Sequence, residues 1–219
     1  MTRISSFLFV LAFTSVCDAA QQASPVVSDD DFQKVLVAVS SEDWDTAVDL
    51  SKKYLKQMKA DDERLPRLRY IYLYSAAGKV SEGRMEFDEL TKSTKEFVGK
   101  NLVLPFRPIT LDCPRAMNFI CPSKESKDRV FIAASNRTGT TILAFEYVQL
   151  KEPFDFASHE GEAASIVGDI QSIQPNPNKS RAIVMRLYIS NAVIKLKEEA
   201  PKQRISAAAS AVRIGARVL

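Results

Sequence analysis

The stretch RVFIAASNRTGTTILAFEYVQL, residues 129–150, decides how the second half of the chain folds. Two runs of β-branched, aromatic and small apolar residues flank Asn136–Gly139, a segment of turn-forming residues. In the second run Ile142, Ala144, Glu146 and Val148 alternate with Leu143, Phe145, Tyr147 and Gln149. Both sets are mostly apolar, which predicts a strand largely buried on both faces. The same reading extends outward. LVLPF, PITLDC, MNFIC and RAIVMRLYIS are further short runs, separated by Pro, Gly, Asn and charged turns. Short strands in such a series predict a small β-sandwich over residues 100–199.

Before residue 100 the period changes from two to three and four. Phe32, Val35, Leu36 and Val39 make one apolar face behind acidic Asp29–Asp31, which predicts a first helix. Ser40–Asp43 reads as a break with a new cap. Trp44, Ala47, Val48, Leu50, Tyr54 and Leu55 then continue at helical spacing. A third helix is predicted from Leu65 to Ala77, with Pro66 accepted in its first turn. Gly78 is expected to end it, and a fourth helix should run from Ser81 to about Phe97. The fold class is therefore α+β: N-terminal antiparallel helical hairpins over 28–99, followed by a small, mainly antiparallel β-sandwich.

The two predicted hairpins repeat. EDWDTAVDLSKKYL and GKVSEGRMEFDEL superpose with Ala47 on Gly83, an offset of 36 residues. Tyr74, Gly78, Gly83, Phe87 and Leu90 in the second unit, and Ala47 and Tyr54 in the first, fall at tetratricopeptide-repeat spacings. Residues 30–98 thus resemble that family, whose period is ~34. Ile71 stands where the family prefers a small residue, and neither unit ends in proline. Two units fall short of the ~3 that bury a continuous core, so another surface must cap them. The resemblance implies a concave face lined by the first helix of each pair. Leu65, Leu68, Tyr72 and Ser75 would point there with Arg69 beside them, making Arg69 and Tyr72 the candidate binding residues. The strand–Asn-x-Thr–strand pattern of the β half is similar to immunoglobulin-like extracytoplasmic domains of bacterial envelope proteins.

The chain has 219 residues, 46% of them hydrophobic, with 30 Lys and Arg against 27 Asp and Glu. This is an ordinary globular composition. The basic excess is confined to residues 181–219, which hold 8 bases and 2 acids. A nucleic-acid partner is therefore not expected. The tail from 200 to 219 is rich in Ala, with Arg204, Arg213 and Arg217. Alanine gives little hydrophobic anchoring, so a frayed end is expected, with at most weak contact to an anionic membrane. Lys52, Lys56 and Lys59 form a basic stripe on the second helix, expected to be a solvated face.

At the other end, Arg3 precedes an apolar stretch from Ile4 to Val16 and then small residues. This predicts a secretory signal peptide over residues 1–20, too short for an ordinary membrane span. Once it is removed, Cys113 and Cys121 are the only thiols. In an oxidising compartment they are expected to pair as a disulfide across the PRAMN turn. Such a short loop contributes at most ~2–3 kcal/mol.

Catalytic patterns are scarce. His159 is the single histidine, in the polar segment FASHEGEAAS, and its neighbours Ser158 and Glu160 are too close in sequence for triad geometry. Asp155, Glu160 and Glu162 lack calcium-loop spacing. Seven glycines make no phosphate-binding loop. No metal or cofactor is expected. The leading expectation is an exported, non-enzymatic protein that binds or scaffolds another protein. The alternatives are a carboxylate-dependent hydrolase or carbohydrate-active protein, and a membrane-surface protein held by its basic tail.

Overall fold

The computed structural model describes residues 27–113 and 117–198. The predicted signal peptide and basic tail lie outside the described residues.

Four helices open the fold: α1 (Asp29–Ser40), α2 (Trp44–Gln57), α3 (Leu65–Ser81) and α4 (Phe87–Thr94), the last followed by a 3-10 turn at Lys95–Phe97. Their starts obey local chemistry. Ser28 accepts the Asp31 N–H ahead of three first-turn acids, and Asp43 accepts the Thr46 N–H. Helix α3 has Pro66 in its first turn. It does not end at Gly78 but runs on to Ser81. Glycine is needed there for packing, because a Cβ at 78 would lie 2.4 Å from Trp44 Cδ2. The fourth helix starts at Phe87 rather than Ser81, since Gly83 takes φ +73° in the intervening turn. Two glycines that carry the repeat resemblance thus serve a helix contact and a turn.

Seven strands follow: β1 (Asn101–Val103), β2 (Arg107–Pro108), β3 (Cys121–Pro122), β4 (Arg129–Ser135), β5 (Ile142–Leu150), β6 (Ala163–Pro175) and β7 (Ile183–Leu196). They form one sheet in the order β1-β6-β7-β5-β4-β3, with β2 also paired to β6. Among the strand pairs of the described residues β5 and β7 run parallel and the others antiparallel, and the isolated bridge from Ile109 to Ile120 is parallel as well. The two expected facing sheets are replaced by one sheet that closes on itself. A bridge joins Ile109 to Ile120, with the Thr110 N–H donating to Ile120 O at 3.1 Å and the Ile120 N–H to Pro108 O at 2.9 Å. On its other side the same segment bonds Glu162 O through the Ile109 N–H at 2.9 Å. The ring β2-β6-β7-β5-β4-β3 is thereby completed, which removes most of the open strand edge. Irregular register in β6 near Val167–Asp169 and Ile170–Ser172 bends the long β6–β7 hairpin.

Strand β5 is less enclosed than its composition predicts. Ala144, Glu146, Val148 and Leu150 are buried, whereas Phe145, Tyr147 and Gln149 are half-exposed. On that outer face Tyr147 stacks on Tyr188 at 4.8 Å and meets Phe131 edge-on. One apolar cluster runs from Trp44, Leu73, Ala76 and Val80 of the helices to Leu102, Ile132, Ala144 and Leu187 of the sheet. Helices and barrel share this core. A second cluster of Phe32, Val35, Tyr54, Leu68 and Ile71 holds α1 and α2 to the outer side of α3.

Candidate functional site

Helix α3 is buried around most of its circumference and lies between two concavities. The first is a groove of about 1010 Å³ among α2, α3, α4 and the segment after it. Leu55, Met58, Leu65, Tyr72 and Phe97 give it apolar surface, and Lys52, Lys56, Arg69, Lys92, Lys95 and Lys100 outnumber Glu89 and Glu96 around it. Both predicted binding residues are here. Tyr72 is only 4% exposed and packs edge-on against Phe97 with ring centroids 5.5 Å apart, so it is floor rather than contact. Arg69 donates from Nη1 to Asn101 O at 2.8 Å and to Asn101 Oδ1 at 2.6 Å. Partial burial lowers its pKa, and it has no carboxylate partner among the described residues. Lys52, Lys56 and Lys59 are exposed, as a solvated face requires, and the first two also line the groove. Leu68 and Ser75, expected beside Tyr72, turn elsewhere: Leu68 joins the Phe32 cluster, and Ser75 is fully buried with an unpartnered hydroxyl.

The second concavity, on the other side of α3, is a cleft of about 450 Å³ between α1, α3 and the barrel mouth. Leu36, Val39, Ile71, Pro105 and Phe106 make its walls largely apolar. Behind it lies a buried polar network that joins three distant elements. From α3 the Tyr70 hydroxyl donates to Glu146 Oε1 at 2.7 Å. From β2 Arg107 donates to Glu146 Oε2 and to the Tyr70 hydroxyl, both at 2.7 Å. Glu146 is fully buried on β5 between Ile132 of β4 and Leu187 of β7. Burial pushes its carboxyl above the ordinary range, while Arg107 and Tyr70 pull it back. Burial likewise opposes the charge on Arg107, but Glu146 and Tyr70 outweigh it and hold the guanidinium protonated. Burial raises the Tyr70 phenol well above its usual value. Tyr74 donates to Ser135 O at 2.6 Å, which ties α3 to the end of β4.

Sequence reading missed this network. Its one signal was an acid in the middle of ILAFEYVQL, because a charge in a buried strand needs a partner. Nothing local says that the partner is Arg107 in PFRPIT.

Cys113 and Cys121 are both free, which departs from the expected disulfide. Cys113 Sγ faces Thr110 O at 3.4 Å, while Cys121 sits on β3 opposite Phe131. Burial, then the neighbouring Cys113, pushes the Cys121 thiol up to about 12, a poor nucleophile. Near His159, the Ser158 hydroxyl donates to Asp155 at 2.6 Å, and the imidazole faces Glu162 at 3.2 Å. Serine and histidine are therefore not coupled to each other. Glu42 is the only carboxylate lining the cleft among the described residues. Among the described residues no group of three or more His, Cys, Asp or Glu is placed to hold a metal ion, and no helix is long and apolar enough to cross a membrane. Compared with family models, with curated proteins and with solved structures, the chain matches none.

Proposed function

We propose that this chain is an exported, non-enzymatic binding protein whose α2–α3–α4 groove takes an acidic, amphipathic segment of a partner protein. The observation that carries this reading is Arg69, a partly buried guanidinium held by Asn101 and without a carboxylate among the described residues. An arginine prefers a planar, bidentate carboxylate partner, and a bound acidic side chain would supply one. The lysines along the rim favour the same sign of ligand, and Leu55, Met58 and Leu65 give an apolar side chain a surface to cover. The leader-like N-terminus supports export, and the repeat resemblance supports a binding role for the helical half.

Selection from a random peptide display library on the purified protein tests this. Acidic sequences with interspersed Leu or Phe are expected to enrich on the wild type and to be depleted on Arg69→Gln, with binding that weakens as salt rises. Enrichment of basic or uncharged peptides, or equal selection by Arg69→Gln, would sink the reading.

A further inference from the structure

We propose that the cleft on the opposite side of α3 is a separate site for a small apolar anion, a carboxylate or sulfonate carried on an aliphatic or aromatic body. Its volume, about 450 Å³, lies in the usual range of small-molecule sites. It is bounded on one side by helices and on the other by the barrel mouth, which suits a compact ligand rather than an extended chain. The walls supply the apolar part of the recognition. Phe106 at the mouth is 54% exposed, a large aromatic left in water beside an apolar cavity.

The preference for an anion comes from three arginines. Arg107 lines the cleft and is only 7% exposed, yet just two of its five N–H donors find acceptors among the described residues, in Glu146 and Tyr70. Nη1 and Nη2 are partnered and no Arg107 nitrogen is sealed without a partner, so its remaining donors are open to an acceptor that enters from the cleft. Arg67 and Arg137 also line the cavity, and neither forms an ion pair among the described residues. Glu42, the one acid in the lining among the described residues, accepts the backbone N–H of Arg137, and its single negative charge is outnumbered by Arg67 and Arg137. A cationic ligand would meet the unpaired guanidinium groups of Arg67 and Arg137 against the single carboxylate of Glu42. A neutral apolar ligand would leave the donors of Arg107 unsatisfied. An apolar anion satisfies both the walls and the charges.

Isothermal titration with decanoate, decanol and decyltrimethylammonium tests the assignment on the intact protein. Decanoate is expected to bind with one-to-one stoichiometry, decanol at least tenfold more weakly, and the cation least of all. The double variant Arg67→Gln/Arg137→Gln keeps Arg107 and the buried network. It should lose at least tenfold in decanoate affinity and leave decanol unchanged. Val39→Trp, which fills the cavity from α1, should weaken both ligands. Arg69→Gln should weaken neither, which separates this site from the groove. Equal affinity for decanoate and decanol, no binding of decanoate, or an unaltered double variant would each overturn the proposal.

Discussion

The groove rim and the network behind the cleft handle charge in opposite ways. On the groove side the bases stand around the rim or half in water, and Arg69 is held only by Asn101. Behind the cleft an ion pair is sealed inside, where Arg107 and Glu146 face each other at 2.7 Å with Tyr70 closing the ring. Solvated charges are screened and contribute little to folding, so they are free to serve a ligand. A buried pair is costly to desolvate and costlier still to break. The comparison says that substitutions on the groove side should change binding, and those behind the cleft should change stability.

The most severe challenge is Glu146→Gln. It leaves the Arg107 cation buried without its counter-charge and should cost about 3–5 kcal/mol in urea unfolding. A loss no greater than that of a surface substitution would mean that the network does not join barrel and helix as the distances indicate. Next is the seam where α3 crosses α2. Gly78→Ala drives a methyl into the Trp44 ring and should cost ~1–3 kcal/mol by overpacking, seen as a lower denaturation midpoint with an unchanged m-value. Arg69→Gln should then cost about 1 kcal/mol or less, the worth of its bonds to Asn101. If it destabilises as much as Glu146→Gln, the two sides do not differ as described.

The smallest expected effect is at the periphery. Lys34 and then Ser28 hold Asp31 down to about 2, below its model-compound range. A depressed carboxylate stabilises the fold above its unfolded pKa, and that contribution is lost as pH falls toward the folded value. Asp31→Asn should flatten the acid limb of a stability–pH curve between about pH 4 and pH 2. Above that window the pH dependence should match that of the wild type.

Legibility in the sequence follows the range of each interaction. Helices α1 and α2 were readable because their caps and apolar faces lie within a few residues, Ser28 to Asp31 and Asp43 to Thr46. The β4–β5 hairpin was readable for the same reason, since Asn136 and Gly139 sit between its strands. Gly78 misled because a glycine demanded by a close contact looks, in one dimension, like a glycine that ends a helix. Closure of the sheet was not readable. Ile109 and Ile120 meet across a segment without a strand period of its own, and sandwich and barrel share the same alternation along each strand. Of the candidate residues, Arg69 and Tyr72 do share a concavity, but the basis for choosing them, a repeat register, did not foresee that Tyr72 would be its floor.

The sequence by itself determined the α+β class, the order of helices before strands and the faces along which α1, α2 and the β4–β5 hairpin pack. These depend on periodicity and on caps, which are local. Only the tertiary structure decided that the sheet closes, that α3 becomes a wall shared by two cavities, and that Glu146 meets Arg107. Those outcomes bring together residues 70, 107 and 146 from three elements. Burial of charge is favourable only when such distant partners arrive at the same place, and no window along the chain contains all three.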